Sequence, residues 1–140
     1  MKKRTLPGLL AAILGVTIMT TQVIAQDKPS DANNFYQSSN VTVEKVAFPN
    51  QYRMKIAGNL YMPRGMNQTQ QHPAIIVSHP MGAVKEQSAN LYAIKMAERG
   101  FVTLSVDLPF WGDSKGQPRN AVAPEMYSET FSAAVDYLGT

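Results

Sequence analysis

The fold is decided by residues 74–106, which read AIIVSHPMGAVKEQSANLYAIKMAERGFVTLSV. The first four residues form an unbroken apolar run, which predicts a short strand buried on both faces. Residues 101–106 predict a second strand, and a helix of about 13 residues is expected between the two, ending at Gly100. The helix would bury Ala89, Tyr92, Ala93, Met96 and Ala97. A strand, helix and strand in this order predict a right-handed βαβ unit with parallel strands.

The regions on either side add a hairpin and a second helix. Residues 41–48 alternate imperfectly between apolar and polar side chains, and residues 54–62 are apolar or small at every second position. With a turn at residues 49–51 between them, they predict a β-hairpin with one buried face. Pro124 suits the first turn of a helix that runs to about Leu138. Its apolar stripe is Tyr127, Phe131, Ala134 and Leu138.

Residues 1–25 have the features of an export signal. Residues 2–4 are basic, residues 6–20 are apolar, and small or branched residues precede a cleavage point at the end. The alternative is a transmembrane anchor, which needs about 20 apolar residues, and the stretch here is shorter and broken by proline and glycine. We therefore expect a periplasmic or secreted protein with no stable membrane anchor after cleavage. Residues 26–40 predict a linker, and residues 41–140 the domain.

The composition excludes several classes of protein. The sequence of 140 residues has 13 basic and 10 acidic residues, but three of the basic ones lie in the leader, so the mature chain is neutral. Its basic residues are scattered, which argues against nucleic-acid binding. With no cysteine and two histidines, neither disulfides nor a metal site are expected. The loop at residues 78–85 fits no nucleotide-binding pattern, and no cofactor is expected.

Residues 112–116 read GDSKG, which fits G-x-S-x-G, the nucleophile pattern of serine hydrolases. That pattern requires a strand directly before the first glycine and a helix directly after the serine. Here Pro109 lies between the preceding strand and Gly112, and Pro118 disfavours a helix after the serine. The pattern also requires a histidine after the serine, and none follows it in this sequence. Ser114 is therefore predicted to lie in a structural turn whose backbone N–H groups bond to Asp107.

The loop SHPMG, residues 78–82, follows the first buried strand, at the sheet edge where ligands bind in open α/β folds. Backbone N–H groups in such a loop can stabilise an oxyanion. Since Pro80 has no N–H, the candidate donors are the backbones of Met81 and Gly82. The side chain of Met81 is expected in the core. For His79 we weigh acid–base work against a loop-shaping role, and favour the second because no acidic residue is close in sequence.

Three segments together resemble a known family. They are VSHPMGAVKEQ (77–87), AERGFVTLSVD (97–107) and WGDSKG (111–116). Their order is similar to that in the N-terminal half of α/β-hydrolases of the dienelactone-hydrolase-like kind, especially exported bacterial ones, over residues 41–138. The resemblance implies a partial α/β-hydrolase fold, in which a β-hairpin is followed by βαβα with parallel strands. It also implies that His-Pro-Met is the oxyanion segment and GDSKG the loop after the fourth strand.

The resemblance further implies that the nucleophile lies on a fifth strand, in the C-terminal half of the fold. This sequence lacks that strand, and therefore lacks the nucleophile, the acid and the histidine. The implied substrate is a small ester or related acyl compound. Without the fifth strand, residues 74–77 would form an uncovered apolar edge, which predicts marginal stability and self-association at that edge. The alternative function is a non-catalytic α/β binding module that uses this edge or the loop at residues 78–85.

Overall fold

The computed structural model describes residues 33–139. The predicted export signal, residues 1–25, lies outside the described residues, as does the first part of the predicted linker. The elements are β1 (Val41–Pro49), β2 (Lys55–Pro63), β3 (Ala74–Ser78), a 3₁₀ turn (Lys85–Gln87), α1 (Ala89–Ala97), β4 (Val102–Val106) and α2 (Pro124–Gly139). None of the helices in this part of the chain is long and apolar enough to cross a membrane.

The first two strands form the predicted hairpin. β1 and β2 pair antiparallel along their whole lengths. The turn between them is held by Asn50, whose side-chain oxygen accepts the backbone N–H groups of Tyr52 and Met54. The side chain thus satisfies donors that a tight turn would otherwise leave unpaired.

The four strands form one sheet in the order β1-β2-β4-β3. β3 and β4 are parallel and α1 joins them, so the predicted βαβ unit is confirmed. β2 pairs antiparallel with β4. The two backbones lie very close together at Gly58, where an added Cβ atom would be 2.7 Å from the carbonyl oxygen of Ser105. Because β3 and β4 are parallel, their carboxyl ends lie at the same edge of the sheet.

β3 is an edge strand of this sheet. The prediction that it is buried on both faces is wrong for the described chain, since Ala74 is exposed and the rest of the strand is half-buried. The reason is that β4 pairs with one side of β3, while the other side has no strand partner among residues 33–139. The uncovered edge that the resemblance implies is therefore present.

The two helices cover opposite faces of the sheet. The core on the α2 face consists of Phe48, Ile56, Leu104, Val106, Ala133 and Ala134. The core on the α1 face consists of Val41, Tyr61, Ala93, Ile94 and Ala97. Side chains alternate along a strand, so β4 sends Leu104 towards α2 and Thr103, which donates to the carbonyl of Ala93, towards α1.

Two aromatic side chains that were predicted to face the sheet are exposed instead. Tyr92 on α1 is 62% exposed and Phe131 on α2 is 38% exposed. Ile94 packs under α1 in place of the first, and Thr130 and Ala133 lie under α2 in place of the second. Helical spacing predicts which residues share a face, but in each helix two neighbouring faces were compatible with the spacing of the apolar residues. The face with the smaller side chains packs on the sheet, because small side chains let the helix approach the sheet closely.

Candidate functional site

Two loops meet at the carboxyl edge of β3 and β4. The β3 loop comprises residues 79–85, and the β4 loop comprises residues 107–116. In sheets of this kind, ligand sites lie at this edge. The two loops contain all the residues that the sequence singled out, namely His79, Met81, Gly82 and Ser114. They also bring together Lys85 and Asp107, a pairing that the sequence analysis did not find.

The carboxylate of Asp107 lies at the centre of this arrangement and is fully buried. Its Oδ1 atom accepts the backbone N–H of Lys85 at 2.9 Å, and its Oδ2 atom accepts the backbone N–H of Asp113 at 2.9 Å. The second bond is the type of turn contact that the sequence predicted for Asp107. Each oxygen therefore holds the backbone of a different loop, and the carboxylate fixes the two loops relative to each other.

The ammonium group of Lys85 neutralises this carboxylate. The side chain is 2% exposed, and Nζ lies 2.6 Å from Asp107, 2.8 Å from Glu86 and 3.0 Å from Asp113. Burial by itself would lower the pKa of Lys85, but the hydrogen bonds that its ammonium group donates to the three carboxylates outweigh burial and hold the pKa well above its ordinary value. The hydrogen bond and charge of Lys85 in turn lower the pKa of Asp113. Lys85 is therefore a cation throughout the physiological pH range.

His79 has both ring nitrogens occupied. Nε2 accepts the backbone N–H of Leu108 at 3.0 Å, and Nδ1 lies 2.9 Å from the carbonyl oxygen of Pro80. Because an accepting nitrogen carries no proton, these bonds fix the neutral tautomer with its proton on Nδ1. The carboxylate of Asp107 is 4.0 Å from Nε2, too far for a hydrogen bond. These are the contacts of a residue that shapes the loop, and they leave no nitrogen for acid–base work.

Met81 and Gly82 form the tip of the β3 loop. Ala83 donates its backbone N–H to Pro80 at 3.1 Å, and Gly82 has a φ of 82°, which together define a type II turn. Within residues 33–139, neither tip residue donates its backbone N–H to a protein acceptor. The Met81 side chain is 69% exposed, which rules out the interpretation of this residue as a core side chain and leaves the one that concerns its backbone. The backbone N–H groups of both tip residues therefore stay available as donors within the described part of the chain.

Ser114 is buried inside the β4 loop, with 1% exposure. Its Oγ donates to the carbonyl oxygen of Asp107 at 2.7 Å and accepts the backbone N–H of Ala57 at 2.8 Å. Gly112 and Gly116 on either side have positive φ angles, so the chain forms a turn here rather than a passage from strand to helix. A hydroxyl that is buried and bonded in this way ties the β4 loop to β2 and does not face a substrate.

Ser114→Ala is expected to lower the free energy of unfolding by about 1–3 kcal/mol, because the buried N–H of Ala57 would lose its acceptor. Urea denaturation followed by circular dichroism measures this loss. Ser128→Ala, at an exposed position of α2, is the matched control and should change stability by less than about 0.5 kcal/mol. A loss no larger than that of the control would contradict the structural role of Ser114.

A cavity of about 640 Å³ lies over the α1 face of the sheet, near β1. Its lining includes Phe35, Val43, Asn59 and Asn90, and neither tip residue of the β3 loop borders it. The cavity does reach Glu86, whose carboxylate binds the ammonium group of Lys85. In the part of the chain that the structure describes, no group of His, Asp or Glu side chains is arranged to hold a metal ion.

Known proteins resemble this chain in sequence. Residues 15–121 match the family described as Esterase FrsA-like. Uncharacterized protein PA2218 from Pseudomonas aeruginosa is 49% identical over 104 residues, which are 74% of this chain and 28% of that protein. Uncharacterized protein YcjY from Escherichia coli is 43% identical over 98 residues, which are 69% of this chain and 32% of that protein. The chain therefore spans about a third or less of the length of these relatives.

Solved structures give the same result for the fold. The crystal structure of PA2218 matches 81% of this chain and 35% of its own, with a TM-score of 0.71 and 46% identity. The α/β hydrolase GrgF from Penicillium sp. sh18 matches 69% of this chain and 32% of its own, with a TM-score of 0.60 and 25% identity. The predicted partial α/β-hydrolase fold is confirmed, and the chain belongs to the FrsA-like esterase family.

Proposed function

We propose that this chain supplies the oxyanion-stabilising part of an exported serine hydrolase that acts on small esters or related acyl compounds. One observation carries the proposal: the backbone N–H groups of Met81 and Gly82 have no protein acceptor within the described residues and lie on a turn at the carboxyl edge of the sheet. Membership of an esterase family supports the class of substrate. The basic and apolar start of the sequence supports export.

The proposed chemistry follows from where charge develops during ester cleavage. Attack on the ester carbonyl converts its oxygen into an oxyanion, and fixed N–H donors stabilise that charge more than they stabilise the neutral ester. A single donor of this kind contributes about 2.7–4 kcal/mol to the transition state. Proline at position 80 donates nothing, so Met81 is the first residue of the turn able to do so.

The proposal assigns the nucleophile and its base to residues other than those at 33–139. Ser114 is buried and hydrogen-bonded on both sides, and His79 has both nitrogens engaged. The part of the chain that the structure describes therefore offers an electrostatic contribution without a group that can form an acyl intermediate. We expect no useful esterase turnover from this chain alone, since oxyanion donors without a nucleophile supply only a small residual part of the catalysis of a serine hydrolase.

Met81→Pro tests the donor directly. Met81 occupies the turn position that favours proline, so the substitution removes the N–H while keeping the turn. In the complete product of the gene that contains this sequence, we expect kcat for p-nitrophenyl esters to fall about 10²–10³-fold, with little change in KM. Met81→Leu retains the N–H and is the matched control, with kcat close to the parent value.

Two results would count against the proposal in different ways. Unchanged kcat in Met81→Pro would reject this residue as the donor. Absence of hydrolysis with any p-nitrophenyl ester would reject the esterase function itself. Hydrolysis that persists in Ser114→Ala and disappears on labelling with a fluorophosphonate is expected, because the proposed nucleophile is another serine.

The free side of β3 supports a second candidate function, a binding module that pairs its edge strand with another chain. The relevant observation is the half-buried row from Ile75 to Ser78, which has no strand partner on its free side among residues 33–139. A strand edge of this kind is a template for pairing, including pairing with a second copy. Sedimentation velocity of this chain over a range of concentrations separates the cases: self-association would appear as a rising sedimentation coefficient, and a constant monomer value would contradict it.

A further inference from the structure

We propose that Lys85 and Asp107 are positioning residues for the oxyanion turn, because their ion pair holds the turn-bearing loop against its neighbour. The inference rests on the proposed function of that turn. It adds a role for two residues that touch neither the substrate nor the reacting atoms. Their effect on chemistry is transmitted through the backbone of the β3 loop.

The β3 loop is tied to the β4 loop at both of its ends. At the first end, His79 accepts the backbone N–H of Leu108. At the second end, Lys85 donates its own backbone N–H to the carboxylate of Asp107. The tip residues between these ends are exposed and make no side-chain hydrogen bond. The position of the tip is therefore set by the two ties, and the second tie depends on the carboxylate.

The ammonium group keeps that carboxylate in its place. Asp107 is fully buried, and its two oxygens hold backbone N–H groups from both loops. Without a cation beside it, a buried carboxylate either takes up a proton or moves towards water. Both changes weaken or break the bonds that it makes to the two backbones. Lys85 thus holds the carboxylate of Asp107 in place, and through it fixes the two loops relative to each other.

A role in packing alone does not account for this pair. Apolar side chains of similar volume often stabilise a protein as well as a buried ion pair does. Apolar side chains cannot accept the N–H groups of Lys85 and Asp113, whereas the carboxylate accepts both. What the pair supplies beyond packing is the geometry of the loop.

The absence of cysteine from the sequence allows a test on a single side chain. In the variant Lys85→Cys, unfolded in urea, the only thiolate displaces bromide from 2-bromoethylamine and forms a new carbon–sulfur bond. The product has the length of lysine and carries its ammonium group. The same variant treated with bromoethane gains the same stem without the charge. After refolding, the two forms differ at one group, and this difference isolates the cation.

The measurement is the backbone ¹⁵N order parameter at Met81 and Gly82, with buried Leu104 as the reference for global folding. With the aminoethyl group we expect an order parameter of about 0.85 at all three positions. With the ethyl group we expect the order parameters of the two tip residues to fall below about 0.6, while that of Leu104 stays near 0.85. A rigid tip in the ethyl form would overturn the proposal. So would a tip that stays mobile in the aminoethyl form beside a rigid reference.

Two controls keep the outcome decisive. The same pair of modifications at Lys115→Cys, an exposed site in the β4 loop, should leave the order parameters unchanged. If the ethyl form does not refold, the double variant Lys85→Met with Asp107→Asn removes the cation without leaving a lone buried charge. It is measured in sucrose, which favours the folded state. A rigid tip in that variant would overturn the proposal, and a mobile tip beside a rigid reference would support it.

The order parameters need no substrate, so they test the positioning role separately from the esterase function. If the complete gene product hydrolyses p-nitrophenyl esters, Lys85→Met is expected to lower its kcat at least tenfold with KM unchanged, because the turn acts on the transition state. An unchanged kcat would contradict the positioning role. Absence of hydrolysis in the parent protein would reject the proposed function and leave the result for the turn intact.

Discussion

Lys85→Met is expected to lower the free energy of unfolding by about 3–5 kcal/mol, the typical cost of removing one partner from a buried ion pair. Methionine has nearly the length of lysine and fills the same space, so little packing is lost. The cost arises because Asp107 is fully buried and would lose the cation that neutralises its carboxylate. Urea denaturation at pH 7, monitored by circular dichroism and by the fluorescence of Trp111, measures the change.

Lys115→Met is the matched control for this variant. Lys115 lies in the β4 loop, and its side chain is exposed. Its replacement is expected to change the free energy of unfolding by no more than about 0.5 kcal/mol. If the free energy of unfolding fell by the same small amount in both variants, the buried lysine would contribute no more to stability than a surface lysine does. The pair would then not be the central contact between the two loops.

Gly112→Ala is expected to lower the free energy of unfolding by more than about 3 kcal/mol, through two effects that act together. Gly112 has a φ of 50°, which a residue with a Cβ atom adopts at a cost. The added Cβ would also overlap the carboxylate of Asp107, closer than van der Waals contact allows. To make room, the carboxylate must move away from Lys85, which weakens the ion pair. The same denaturation experiment reports the loss.

Gly65→Ala separates these two effects. Gly65 has a φ of 79°, and its added Cβ would meet no atom within 4 Å. This variant should therefore show the backbone strain alone, about 1–2 kcal/mol. The excess loss in Gly112→Ala then measures the collision with Asp107. Equal losses in the two variants would contradict the close contact between the glycine and the carboxylate.

Local signals were sufficient to predict most of the fold. The apolar run at residues 74–77, the helical spacing after it and the strand at residues 101–106 predict a parallel βαβ unit, which is confirmed. The hairpin follows from alternation on either side of the turn predicted at residues 49–51, although Pro49 itself is the last residue of β1. Each of these patterns depends on neighbours within a few positions along the chain. The antiparallel pairing of β2 with β4 has no such local pattern and was not predicted.

The candidate site was only partly predictable. A turn at residues 80–82 could be predicted because Pro80 has no N–H and Gly82 tolerates the positive φ that the turn requires. Lys85 gives no such signal, since a lysine after a loop is typical of a solvated surface. Its burial depends on Asp107, which is 22 positions away and comes close only when β3 and β4 pair. A contact of that range is a property of the sheet and is not encoded in either loop.

The contacts that hold the turn at residues 80–83 have a kinetic consequence for the proposed function. The residues that hold the turn all belong to the two loops themselves, namely His79, Lys85, Leu108 and Asp107. The shape of the turn therefore needs no contact from a bound molecule. The entropy loss of ordering the turn then occurs once, when the chain folds, and not in every catalytic cycle. For an enzyme of the proposed kind, the donors would contribute little reorganisation energy to the chemical step, because the turn is already ordered before a substrate binds.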